Sequence, residues 1–201
     1  PSNDVHIEDW KKDKNFTQSK CLDKFITHCE NKDLKFNHVL DVGAWVGTWT
    51  AKIDPFCGRV IAFEPDPIHY ECLVKNCSED VETHQLAIGN EEKMISLSED
   101  DFTQAKRVVG DGTIPMVTID SLNLDDVDLI KIDVEGYEME VLKGATNTLK
   151  TVDYLMIELN NNTKKYGSSN LEIEKYLRNI GFEIMIKVWP DVVWRKRGKS
   201  K

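Results

Sequence analysis

The first apolar pattern along the chain has a helical period. In TQSKCLDKFITHCENK (17–32) the apolar positions Cys21, Leu22, Phe25, Ile26 and Cys29 recur at spacings of three and four, which puts them on one helical face. The pattern then shortens. HVLDV (38–42) is a compact apolar run and reads as a buried strand. Residues 47–53 follow as a short helix, stopped by Asp54-Pro55 because proline has no amide donor and its ring clashes with the preceding turn. RVIAFEP (59–65) predicts a second strand, and 66–77 a helix with Ile68, Cys72 and Leu73 at helical spacing. VETHQLAIG (81–89) predicts a third strand, followed by a polar, irregular stretch with strand-like KMISLS (93–98) and a mobile GDGT (110–113).

The second half repeats the alternation. DLIKIDV (128–134) predicts a strand, YEMEVLKGATNTL (137–149) a helix, and DYLMIELN (153–160) another strand. Residues 169–181 read as a helix between a Ser or Asn cap and a glycine stop. Residues 182–197 read as two strands around a Pro190-Asp191 turn. Alternating strands and helices predict an α/β fold with a mostly parallel sheet. The closing hairpin forces an antiparallel strand into its end. A seven-stranded sheet of this kind is the plan of the Rossmann-like class I methyltransferases. It predicts one globular domain over 38–201, preceded by a lead-in and helix over 1–37. Ligands of such sheets bind beyond the carboxyl ends of the strands, near the switch point.

Composition narrows the partners. A 201-residue chain with 40% hydrophobic and 30% charged residues is an ordinary globular composition. Its formal net charge of −9 argues against nucleic acid as a partner. The one basic run, RKRGKSK (195–201), reads as a solvated, fraying tail. No apolar run approaches the ~20 residues of a membrane span, and no secretory signal is visible. The five cysteines (Cys21, Cys29, Cys57, Cys72, Cys77) contain no C-x-x-C pair and read as reduced thiols, which predicts a cytoplasmic protein. The chain opens on Pro1 rather than Met, as a trimmed or partial chain would.

The chemistry starts at VLDVGAWVGTWT (39–50). Gly43 and Gly47 frame a nucleotide-binding turn, but the position that needs a middle glycine for close approach to a pyrophosphate is Trp45. A bulky side chain there disfavours a diphosphate cofactor. S-adenosylmethionine carries no phosphate; it needs a glycine turn, a carboxylate for its ribose and a flat slot for adenine. Glu64 stands at the end of the second strand, about 20 residues after the turn, where an acid accepts from ribose hydroxyls. Asp41 is expected to face the cofactor's ammonium group directly or through water. Ala44, Trp45, Gly47, Pro65 and Asp66 complete the expected donor site, with Leu86 and Ala87 walling the adenine slot. Asp66 serves equally as a helix N-cap.

DLIKIDVEGYEMEVLKGA (128–145) adds Asp133 and Glu135 at the end of the next strand, ahead of Gly136. With LDVGAWVGTWT, FEPDP, VTIDSL, IKIDVEGYEMEVLKGA and MIELN, the chain resembles the FkbM-type S-adenosylmethionine-dependent methyltransferases over residues 38–160. Trp45 departs from relatives that often carry a small or polar residue there. The resemblance implies O-methylation of a hydroxyl on a sugar, polyketide or similar small molecule.

An alcohol is a poor nucleophile, so a general base helps by ~10²–10⁴. Asp133 is the expected base, Glu158 from the adjacent strand the second candidate, and Glu135 either a catalytic group or a partner of the following helix N-terminus. Asp133, Glu158 and Asn160 also form an oxygen-rich set able to hold Mg²⁺, an alternative to a metal-free site. His84, Trp49 and Asp120 read as structural. Acceptor selection is expected in 101–115, 161–170 and the N-terminal helix. Two other readings stay open. One is an RNA or cap 2′-O-methyltransferase, for which Lys131 is the candidate lysine, although it alternates away from Asp133's immediate neighbours. The other is a catalytically degenerate binding module.

Overall fold

The computed structural model describes residues 19–98 and 106–198. In chain order the elements are α1 (Ser19–Lys32), β1 (Phe36–Val42), α2 (Thr48–Ile53), β2 (Cys57–Phe63), α3 (Pro67–Asn76), β3 (Glu82–His84), β4 (Ala87–Ile88), β5 (Lys93–Leu97), β6 (Val108–Val117), β7 (Val127–Ile132), α4 (Glu138–Lys143), β8 (Tyr154–Glu158), a 3₁₀ turn (Asn161–Tyr166), α5 (Asn170–Asn179), β9 (Phe182–Val188) and β10 (Asp191–Lys196). The main sheet has seven strands in the order β3-β2-β1-β7-β8-β10-β9. The pairs from β3 through β8 are parallel, and β10 runs antiparallel to both β8 and β9. The closing hairpin therefore does what its sequence predicts.

Successive residues of the central strands point to opposite faces, and both faces are covered. Leu40, Ile61, Ile130, Leu155 and Val192 pack with Val141 and Leu142 of α4 and with Ile173 and Leu177 of α5. Their sequence neighbours Val39, Val60, Leu129, Met156 and Val193 pack with Phe25 of α1 and Trp49 of α2. This explains why the central strands read as continuous apolar runs. The helical face expected for α1 is the buried one, with Cys21, Leu22, Phe25 and Cys29 sealed against the sheet.

Four sequence expectations change. The third strand splits: β3 ends at His84, and Ala87–Ile88 leave to pair with β6 in a small sheet ordered β4-β6-β5. GDGT is part of β6 rather than a mobile loop, and a Cβ on Gly112 would lie 2.3 Å from the Ile95 carbonyl oxygen. The helix foreseen over 137–149 stops at Lys143. At the next residue, Gly144, a Cβ would meet the Gly89 carbonyl oxygen at 1.9 Å, so helix and small sheet touch backbone to backbone. Finally, the basic run begins inside β10. Arg195 pairs with Glu183, and Lys196 Nζ donates to the carbonyls of Leu149 and Ile180 at 2.8 Å each. The lead-in over 1–16, residues 101–105 of the acceptor stretch and the last three residues of the basic run lie outside the described residues.

The structural readings of three residues hold. Asp120 accepts from the backbone of Asn147 and Thr148. Trp49 is buried and donates to Met156 Sδ at 3.3 Å. His84 stacks on Phe63 with ring centroids 5.6 Å apart. All five cysteines are free thiols. No helix among the described residues is long and apolar enough to cross a membrane.

Candidate functional site

A cleft opens at the carboxyl ends of β1, β2 and β7. Gly43, Ala44, Trp45, Glu64, Pro65, Leu86, Ala87, Asp133 and Glu135 all line it, as expected from the sequence. Gly43 makes the turn possible in two ways. Its φ of 77° suits glycine, and a Cβ would sit 1.9 Å from the Asp133 carbonyl oxygen. Trp45 also adopts a left-handed conformation, φ 50°, which costs a non-glycine residue about 1–2 kcal/mol. That geometry aims the Trp45 N–H at Glu64 Oε2, 2.8 Å away. The turn is further tied to β2, since the N–H groups of Gly43 and Ala44 both donate to the Phe63 carbonyl at 3.0 Å.

Glu64 is buried. Its second oxygen accepts from the Asp66 N–H at 2.9 Å. Burial pushes its carboxyl up to about 7, against the pull of the two backbone donors. Each carboxylate oxygen keeps further lone pairs for ligand hydroxyls. His69, from the first turn of α3, also faces the cleft, edge-on to the Trp45 indole at 6.3 Å. The sequence reading missed it; its only signal is its place three residues after the Asp66 cap.

Three residues expected at the donor site do not line the cleft. Asp41 is fully buried beneath the turn, accepting from Thr50 Oγ1 at 2.6 Å and facing Lys131 Nζ at 2.9 Å. The cation it faces is this internal lysine. Asp66 caps α3 by accepting from the N–H groups of Ile68 and His69, and it pairs with Lys106, a cleft residue. Gly47 opens α2 with φ 86°.

Lys131 lines the cleft as well. It stands two residues before Asp133, and strand alternation puts both on one face. Lys131 Nζ lies on the cleft floor, donates to the Gly43 carbonyl at 2.5 Å and lies 3.8 Å from Asp133 Oδ2. Burial is the largest influence and would lower its pKa, but Asp41 and Asp133 together raise it. One buried cation thus ties the turn to the acidic end of β7.

The acids gather beside it. Asp133, Glu135 and Glu158 each bring an oxygen within 4.8 Å of the others. Glu158 is out of the cleft lining and sits behind Asp133, with which it shares a hydrogen bond. Burial, then the charges of Asp133 and Glu135, drive the Glu158 carboxyl above the usual carboxylate range. Burial, then Asp133, lifts Glu135 to about 7. Asn162 Nδ2 donates to Glu135 at 2.9 Å and Asn160 Nδ2 to Glu158 at 2.7 Å.

Asn160 Oδ1 accepts from the Asn162 N–H at 2.8 Å and so caps the 3₁₀ turn. The metal set expected from Asp133, Glu158 and Asn160 is thereby replaced by the three carboxylates, with Glu135 in place of the amide. The helix-terminus role considered for Glu135 falls to Glu138, which accepts from the Gly136 N–H at 2.9 Å. Asp191, unforeseen, stands opposite Glu158 in the β8–β10 pairing. It is buried and lifted to about 8, first by burial and then by Asp133.

Residues 41–184 match the methyltransferase FkbM domain. The hexuronic acid methyltransferase AglP of Haloferax volcanii is 30% identical over 133 residues, 59% of this chain and 54% of that protein. The chain thus spans about half the length of the curated relative it matches. A crystal structure of methyltransferase FkbM from Methylobacillus flagellatus KT superposes with a TM-score of 0.59 at 21% identity, covering 80% of this chain and 43% of that one. The N-methyltransferase NodS from Bradyrhizobium japonicum WM9, in complex with S-adenosyl-L-homocysteine, superposes at 0.54 with 13% identity, covering 94% and 91%. The fold is that of the Rossmann-like methyltransferases. With nearly three quarters of its length matched, the chain belongs to the FkbM methyltransferase domain family.

Proposed function

We propose that the chain is an S-adenosylmethionine-dependent O-methyltransferase acting on a hydroxyl of a sugar or related small molecule. The observation that carries this is the continuity of one cleft, with the Gly43–Trp45–Glu64 cradle at one end and Asp133 and Glu135 at the other. The cradle suits the donor. Glu64 offers two oxygens already oriented by backbone donors, and Phe63, Leu86, Ala87 and Ile88 supply flat apolar wall for a base. The cofactor supplies a methyl group on a sulfonium, which departs neutral. AglP, a hexuronic acid methyltransferase by name, supports a carbohydrate acceptor.

The chain's own task is to hold the acceptor and take its proton. Asp133 is the acid on the cleft wall, with Glu158 hydrogen-bonded to it and Lys131 at 3.8 Å. We assign it the base role, with Glu135 orienting the hydroxyl. Lys131 spends its donors on Asp41 and Gly43, which argues against the RNA-type use of this lysine. Protons shared among the acids relieve their repulsion, so the reading needs no Mg²⁺. Activity should survive complete chelation; its loss, with recovery on adding Mg²⁺, would place a cation among the three carboxylates. The direct test of the whole reading is titration calorimetry with S-adenosylmethionine. No heat at millimolar ligand, with the protein shown folded, rejects it.

A further inference from the structure

We propose that Trp189 is a stacking platform for a second sugar ring of the acceptor, next to the ring whose hydroxyl is methylated. The inference rests on the carbohydrate reading above and adds a subsite to it. Trp189 is 61% exposed, whereas Trp45 is half-buried and Trp49 and Trp194 are buried. Leaving an indole in water forgoes much of the ~1.5–3 kcal/mol that burying a large side chain contributes. The other large apolar side chains exposed among the described residues are aliphatic or thioether: Ile68, Val74, Met94, Val109 and Leu171. None of them lies in the β9–β10 hairpin.

The position of Trp189 is what gives it meaning. It sits at the hairpin tip, and its neighbour Pro190 accepts a hydrogen bond from the Leu159 N–H at 2.9 Å. Leu159 lies between Glu158 and Asn160, which are hydrogen-bonded to each other beside Asp133. Two residues past Trp189, Asp191 pairs in register with Glu158. Adjacent strands lie ~4.8 Å apart, on the order of one sugar ring. Trp189 thus sits in the turn that leads into β10, the strand next to the one that ends in Glu158, at the same end of the sheet. The 3₁₀ turn following Asn160 presents Lys164 and Lys165 to solvent, and the Lys165 charge reaches Glu135.

The chemistry of the indole fits this occupant. A pyranose has an apolar C–H face and a rim of hydroxyls. A flat aromatic surface covers the face and leaves the rim to water and polar neighbours, at small entropic cost because the indole has only two side-chain torsions. The exposed lysines would favour a chain carrying carboxylates.

The test compares two acceptors, a free hexuronic acid and a trisaccharide ending in the same hexuronic acid, with wild type, Trp189→Ala and Trp189→Phe. Loss of one stacking contact should raise KM for the trisaccharide about tenfold in the alanine variant, with kcat unchanged. KM for the monosaccharide should not move, and phenylalanine should recover most of the loss. Equal trisaccharide KM in wild type and Trp189→Ala overturns the platform and leaves the methyltransferase reading standing. Parallel increases for both acceptors do the same. If wild type binds S-adenosylmethionine yet methylates neither sugar, the carbohydrate reading falls, and the platform with it.

Discussion

The two ends of the cleft are built by opposite means. At the end proposed for the donor, backbone does the work: the Gly43, Ala44 and Trp45 N–H groups are all spent on Phe63 and Glu64, and the position of Gly43 leaves no room for a side chain. At the end proposed for the acceptor, side chains do it. Asp133, Glu135, Glu158 and Asp191 crowd together, and burial leaves three of them with raised carboxyls. The first end is rigid because its polar groups are satisfied. The second is responsive because its charges are not all compatible. A methyl donor is the same molecule in every turnover, which suits a fixed seat. An acceptor must surrender a proton, which suits groups whose protonation is poised.

The comparison breaks most completely at Gly43. Gly43→Ala drives a methyl group into the Asp133 backbone, so binding of S-adenosylmethionine should vanish in calorimetry and the melting temperature should drop sharply. Unchanged affinity would mean the turn is not the donor seat.

Next comes the link between the ends. Lys131→Met removes one member of a buried ion pair and leaves Asp41 uncompensated, which should cost about 3–5 kcal/mol in urea unfolding. Adding Asp41→Asn should return part of that loss. If the double variant is no more stable than Lys131→Met, the pair is not coupled.

Asp133→Asn sharpens the contrast. It should lower kcat by ~10²–10⁴ while leaving donor affinity within a few fold. Full turnover in this variant would remove Asp133 from the base role.

The smallest effect is on pH-dependent stability. Glu135 is held near 7 and Asp191 near 8, both above ordinary carboxylate values because of burial and then the Asp133 charge. A carboxyl raised on folding stabilises fully below its unfolded value, and that contribution is lost as pH rises through the folded one. The melting temperature should therefore fall between about pH 5 and pH 8, with Asp191→Asn flattening the upper part of the slope. A profile that rises over this window would contradict the crowding.

Much of this was legible in the sequence, for identifiable reasons. The alternation of strands and helices and the closing hairpin follow from apolar runs punctuated by Gly, Asp and Pro. The places of Gly43, Trp45, Glu64 and Asp133 on the cleft were legible because they sit at strand ends, where sequence spacing reports position. Period-two alternation along β7 already puts Lys131 on the face of Asp133. The Asp41–Lys131 pair was not legible because the two residues are 90 positions apart and meet only through the pairing of β1 with β7. Asp191 was missed for the same reason, since its neighbour Glu158 lies across an antiparallel register. The early end of α4 has no local signal beyond a glycine; its cause is the approach of Gly89 from another sheet.

The register of β10 also bears on how the molecule comes into being. That strand is inserted between β8 and the edge strand β9, although it is the last of the three to be made. A nascent chain can shape its methyl-donor seat from residues before 140, but the rear wall behind Glu158 must wait until Asp191 leaves the ribosome. Until then, β8 presents an unpaired edge and an incomplete acid cluster to the cell, the interval in which a chaperone would have most to do.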